Sequence, residues 1–213
     1  MKPIRGAALQ ERINDFVTLF VVVDPIGTVS IFLAATASLK AGARRQTAIL
    51  AVMFAFGTLL FFIVAGQYLL AAMGIPLRAF QIAGGLVLFV FALNMVLGET
   101  AGDPARKGRV DPVAVAINPI AIPAIAGPGA MLAVVLLTDN DRFDVADQIF
   151  TSITLAAVMA IQLVILLLAS PIARVIGAGG ANIIRRVMGI ILAAVAANMS
   201  LSAVVDWLGL PKL

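Results

Sequence analysis

Apolar residues run along this chain in long blocks, separated by short stretches that gather glycine, proline and charge. The blocks fall near 16 to 38, 47 to 73, 80 to 98, 113 to 137, 149 to 176 and 183 to 205. A helix needs about 20 mostly apolar residues to cross the hydrocarbon core, so each block predicts one membrane span. Strands of a membrane barrel alternate apolar and polar positions over about 10 residues. The run from Phe54 to Leu70 shows no such alternation, so helices are predicted throughout.

Composition removes the soluble alternative. Soluble domains carry about 25% charged residues, whereas these 213 residues are 12% charged and 62% hydrophobic, with a mean hydropathy of +1.10. The expected fold is an all-α polytopic membrane protein, one membrane domain over residues 1–213. The first block has a second reading, because Lys2, Arg5 and Arg12 precede it and Ala35-Thr36-Ala37 resembles a leader cleavage site. Asp24-Pro25 would interrupt the apolar core that a leader needs. The net charge of +4 does not point to nucleic acid, since the basic residues are scattered through short loops.

Those loops predict orientation instead. With six spans, one side holds Lys2, Arg5, Arg12, Arg78, Arg142 and Lys212, six in all. The other holds nine: Lys40, Arg44, Arg45, Arg106, Lys107, Arg109, Arg174, Arg185 and Arg186. The richer side is expected to be cytoplasmic, with both termini outside.

The chain also resembles itself. Pro25 pairs with Pro128 and Gly74 with Gly177 at an offset of 103; Gly85 with Gly189, Asn94 with Asn198 and Met95 with Met199 at 104. The implied unit is three spans, residues 14–100 and 112–206. Three is odd, so the second copy enters the membrane from the opposite side and the copies form inverted-topology repeats.

Spans 1 and 4 carry the breaks. Span 1 contains Asp24-Pro25-Ile26-Gly27, and span 4 contains Asn118-Pro119, Pro123 and Gly127-Pro128-Gly129. Proline removes a backbone donor, so both helices are expected to be discontinuous near mid-membrane. Half-helices would restart at Pro25 and Pro128, because proline suits the first helical position. The amides of Gly27, Thr28 and Val29 and of Gly129, Ala130 and Met131 would then be free to face an anion. Asp24 is the single acidic residue deep in a span. Two roles are open to it: a helix cap, or a partner for a substrate ammonium or coupling proton.

Asn94 and Asn198 could line a path, although interhelical packing explains them as well, and Gln67 and Gln162 read the same way. Gly84, Gly85 and Gly189 predict close helix contacts. Asp139, Asp141, Asp144 and Asp147 lack the spacing of a calcium loop. Arg185-Arg186 predict headgroup anchoring. The chain has no cysteine and no histidine, which excludes thiol chemistry, histidine-based catalysis and the usual zinc ligands.

Asp24-Pro25-Ile26-Gly27, Ile82-Ala83-Gly84-Gly85 and Ile122-Pro123-Ala124-Ile125-Ala126-Gly127-Pro128-Gly129-Ala130 together resemble the MarC family, related to the SnatA small neutral amino acid transporters. The resemblance covers nearly the whole chain. It implies a six-span inner-membrane protein of two inverted repeats and, for characterised relatives, movement of glycine, alanine and similar amino acids. Carried over by motif, the substrate region falls on Asp24, Pro25, Ile26, Gly27 and Thr28 and on Ala126, Gly127, Pro128, Gly129 and Ala130. Relatives often have Asn where Thr28 stands, which bears on substrate preference.

The expected activity is therefore transport of a small zwitterion, with membrane lipids as the other partner and no cofactor. An enzyme is the first rival, but an aspartyl intramembrane protease needs two carboxylates at depth and only Asp24 is there. A channel, which also uses paired half-helices, is the second, and a scaffold without transport the third.

Overall fold

The computed structural model describes residues 5–97, 111–138 and 145–210. The first half contains α1 (Arg5–Val23), α2 (Pro25–Ala35), α3 (Ala41–Ala72) and α4 (Leu77–Leu97). The second half opens with α5 (Pro112–Val115), which runs into a π-helical segment, Ala116–Ile125, and continues through α6 (Pro128–Leu136), α7 (Val145–Leu167) and α8 (Ala169–Leu208). No strand occurs among the described residues. Five stretches are long and apolar enough to cross a membrane, and residues Pro112–Ile125 with Pro128–Leu136, bent by 55°, make a sixth.

Several helices outrun the apolar blocks. α1 starts at Arg5 rather than near 16, and α3 starts at Ala41 rather than near 47, so Arg44 and Arg45 lie inside it. Hydropathy marks the part matched to hydrocarbon, whereas a helix continues into the interface, where arginine can reach polar surroundings. The block expected at 149–176 is cut at Leu168. Pro171 explains this, because it has no amide for the Leu167 carbonyl and its ring crowds that oxygen. The helix then resumes in α8 and breaks again at Gly177, φ 68° and ψ 170°. Gly74, its partner in the repeat, also has positive φ, 66°. Each half thus makes its last reversal at a glycine in the left-handed region, open to glycine without penalty.

The halves meet along α4 and α8. A Cβ on Gly85 would overlap Ser200 Oγ and lie 3.0 Å from the Ala196 carbonyl oxygen. A Cβ on Gly189 would lie 2.9 Å from Val96 Cγ2 and 3.0 Å from the Ala92 carbonyl oxygen. Under the offset of 104, Gly85 becomes Gly189, Ala92 becomes Ala196 and Val96 becomes Ser200. The two contacts are therefore one contact seen from either side of a two-fold axis. As residue numbers rise in one helix they fall in the other, so the helices are antiparallel. Arg78 Nη1 donating to the Asp206 carbonyl at 2.9 Å and Gln81 Nε2 to the Met199 carbonyl at 3.0 Å continue the same register. Equivalent helices running in opposite senses are what inverted repeats require.

The remaining packing follows the same exchange. α2 packs on α8 and α6 on α4; α1 packs on α7 and the π-helical segment on α3. Small residues let these backbones approach, as at Gly84, where a Cβ would meet Leu132 Cδ2 at 2.7 Å. The outer surface carries exposed Met53, Phe61, Val64, Leu86, Val90, Ile190 and Leu201, an apolar coat suited to acyl chains and not to water.

Candidate functional site

α1 ends with the Asp24 amide donating to the Phe20 carbonyl at 3.1 Å. The chain then turns left-handed at Asp24, φ 50° and ψ 65°. This is the one non-glycine residue with positive φ among the described residues. The conformation disfavours residues with a Cβ by about 1–2 kcal/mol, and aspartate tolerates it because its short side chain can bond nearby backbone. Here the Gly27 amide donates to Asp24 Oδ1 at 3.0 Å. Pro25 opens α2. The Thr28 amide and hydroxyl both donate to the Asp24 carbonyl, at 3.1 and 2.8 Å.

These bonds correct the expectation of free amides at Gly27, Thr28 and Val29. The carboxylate takes the first, and the helix takes the second. Val29 lies beyond the turn in which a helix leaves its amides unpaired. The cap role of Asp24 is thus present. Gly27 is obligatory for it, since a Cβ there would overlap the Asp24 carboxylate and lie 2.6 Å from Met95 Cε.

The second break is built differently. Asn118 and Ile122 are extended, φ −132° and −130°, inside the π-helical segment. Each precedes a proline, which disfavours the helical region for the residue before it, and both bonds to proline are cis. Gly127, φ −77° and ψ 169°, stands at the cap position of α6 and contributes no side chain to it. The first backbone bond there is from the Met131 amide to the Gly127 carbonyl at 3.0 Å, so Met131 is also removed from the set of free amides. Gly129 and Ala130 remain as the uncapped amides of the first turn. Both are buried, and a Cβ on Gly129 would lie 2.5 Å from Leu88 Cδ1.

Asp24 and Gly127 are counterparts at the offset of 103. One half therefore carries a buried carboxylate where the other carries bare amides. Asp24 is 3% exposed and makes no ion pair among the described residues. A charge so placed needs a partner, because burying it alone is far costlier than burying a neutral polar group. The start of α6 lies against the end of α1. Gly127, Pro128, Gly129 and Ala130 line a cavity of about 20 Å³ with Leu88 and with Val22, two residues before Asp24. That volume accommodates about one water, so an amino acid would enter only if the halves moved apart.

Among the other sequence candidates, Asn94 is half-buried on α4 and Asn198 is exposed on α8. Asp139, Asp141 and Asp144 and the side chain of Asp147 lie outside the described residues. Gln162 departs from its packing interpretation: it is 0% exposed, and neither amide atom has a hydrogen-bond partner. Arg44, read from the sequence only as an orientation signal, donates from Nη1 to Ser170 Oγ at 2.9 Å and from Nη2 to the Thr36 carbonyl at 3.1 Å. Its place in the first turn after a polar loop hints at a headgroup-level arginine, but nothing local marks the partner on α8.

The description "MarC family integral membrane protein" matches residues 9–208, almost the full length of the fold. The chain belongs to the MarC family. Among its relatives, a UPF0056 membrane protein of Methanocaldococcus jannaschii is 32% identical over 201 residues, 92% of this chain and 97% of that one. A UPF0056 membrane protein of Archaeoglobus fulgidus is 31% identical over 185 residues, 85% and 86% of the two chains. The Escherichia coli inner membrane protein YhgN is 30% identical over 204 residues, 94% and 99%. No solved structure matches the chain. This MarC member is thus a multi-pass membrane protein, and these relatives match 85–94% of its length.

Proposed function

We propose that the protein is a secondary transporter, not an enzyme, that moves small neutral amino acids of the glycine and alanine kind across the inner membrane by alternating access. One observation carries this reading: the uncapped start of α6 lines an interior cavity together with Val22, two residues before the buried Asp24. Amides suited to a carboxylate and a carboxylate suited to an ammonium thus stand at neighbouring helix breaks. Helix starts attract anions, and ionisable groups at membrane depth mark substrate or proton pathways. Glycine and proline crowd the breaks and leave space only for small side chains. Asp24 either meets the substrate ammonium or carries a coupling proton between cycles. The nine basic residues of the second loop set support a cytoplasmic position for that side, with both termini outside.

Counterflow in proteoliposomes tests the proposal. Vesicles preloaded with unlabelled glycine or alanine should transiently accumulate the labelled compound, with saturable kinetics. Linear flux that never saturates would support a channel instead. Asp24→Asn separates the two roles of the carboxylate: if transport keeps its pH dependence unchanged in that variant, the proton role is rejected.

A further inference from the structure

A second cavity, of about 410 Å³, opens where α2, α3 and α7 end or begin, lined by Phe32, Ala41, Arg44, Arg45, Leu167 and Ser170. Its volume is within the range of small-molecule sites. Arg44 joins the halves across it, holding the Thr36 carbonyl at the end of α2 and Ser170 at the start of α8, while its Nε has no partner. Pro171 has no amide to give the Leu167 carbonyl, so the helix leaves that acceptor at the cavity wall without its usual donor. A guanidinium with spare donors and a backbone carbonyl without its donor complement a carboxylate and an ammonium respectively.

The cavity touches α2, the helix that follows the first break. Phe32 of α2 lines it together with Leu166 of α7. One turn back along each helix stand Thr28 and Gln162, because residues four apart lie one above the other. Gln162, one turn inward from the cavity wall, is fully buried, with its amide oxygen and nitrogen both unpaired. An amide in that state is expensive to keep in an apolar interior, and a passing zwitterion can satisfy both of its atoms.

We propose that this cavity is the vestibule from which an amino acid reaches the broken-helix site, with Arg44 receiving the carboxylate and Gln162 the next polar contact inward. The inference rests on the transporter reading and names its route. The vestibule belongs to the side richer in basic loop residues, and in this conformation it is open while the inner cavity of about 20 Å³ is shut.

The chain has no cysteine, so Ala41→Cys gives a single thiol at the rim. Its reaction with a membrane-impermeant methanethiosulfonate is followed in phosphatidylcholine nanodiscs. Glycine should slow labelling about tenfold, the scale of one charge-assisted hydrogen bond, and glycinamide should not. Adding Arg44→Gln should abolish the protection, read as the ratio of that variant's own rates with and without glycine. Equal protection by glycinamide, absence of protection by glycine, or protection only by added phosphatidylglycerol each overturns the proposal, the last by assigning the cavity to a lipid phosphate. If Arg44→Gln does not fold, the comparison of glycine with glycinamide on Ala41→Cys alone decides. Gln162→Leu should keep the protection and lower counterflow, and undiminished counterflow would remove Gln162 from the route. Counterflow without protection rejects the vestibule and keeps the carrier, whereas protection without counterflow keeps the site and rejects the carrier.

Discussion

Adding one methyl group at Gly189 tests the two-fold seam directly. In Gly189→Ala the new carbon would lie 2.9 Å from Val96 Cγ2 and 3.0 Å from both the Ala92 carbonyl oxygen and Met95 Cβ. Val96 Cγ2 can rotate away, but a carbonyl oxygen and a Cβ move only with the backbone, so α4 and α8 must separate by a few tenths of an ångström. Overpacking of this kind typically destabilises by about 1–3 kcal/mol. Against it stands the helix propensity of alanine over glycine, about 1 kcal/mol in the opposite direction. Gly57→Ala isolates that second effect, since nothing lies within 4 Å of a Cβ at Gly57. The expected order of thermal stability in detergent is Gly57→Ala at or above wild type, with Gly189→Ala below wild type and about 1–3 kcal/mol under the control, because the propensity gain is common to both and the overpacking cost is what separates them. Gly85→Ala should behave like Gly189→Ala, because its Cβ would meet the Ala196 carbonyl oxygen at 3.0 Å and the Ser200 amide nitrogen at 3.3 Å. The double variant should lose less than the sum, as the first methyl already spreads the helices for the second. If Gly85→Ala and Gly189→Ala both melt at or above Gly57→Ala, the seam is not close-packed and the symmetric contact is refuted.

Three further outcomes are expected. Asp24→Ala should destabilise by about 0.5–2 kcal/mol through loss of the α2 cap, while Asp24→Asn, whose amide oxygen can still accept from Gly27, should keep most stability and lose glycine-dependent thermal stabilisation. Gln162→Leu should raise the melting temperature, since relieving an unpaired buried amide returns about 1–3 kcal/mol, and a lower melting temperature would mean that the amide is satisfied in the folded protein. Gly27→Ala should abolish glycine-dependent stabilisation even at temperatures where the protein remains folded, because its Cβ displaces the Asp24 carboxylate; retained stabilisation would show that the carboxylate has another resting place.

The sequence disclosed what backbone chemistry alone decides. Pro25 and Pro128 start half-helices because proline has no amide to lose at that position, and Gly74 and Gly177 reverse the chain because both take positive φ. The offset between copies was legible for the same reason, as glycine and proline are the residues least replaceable where geometry is fixed. Ownership of individual hydrogen bonds was not legible. Whether the Gly27 amide faces a guest or the Asp24 carboxylate depends on a left-handed φ at Asp24, which no spacing encodes. The partners of Arg44 lie 8 and 126 positions away, and the lack of any partner for Gln162 is a property of its surroundings rather than of its position in α7. Helix ends were misjudged where charge and helix overlap, as at Arg44 and Arg45 in α3.

The self-complementary meeting of α4 with α8 has an implication for ancestry. A chain of half this length, inserted in both senses, would present the same surfaces to its own copy and could assemble as a dual-topology homodimer. Such a dimer must place identical residues at both helix breaks: two carboxylates or two bare glycines, never one of each. Fusion lifts that restriction, and the difference between Asp24 and Gly127 is a polarity that only a single covalent chain can carry.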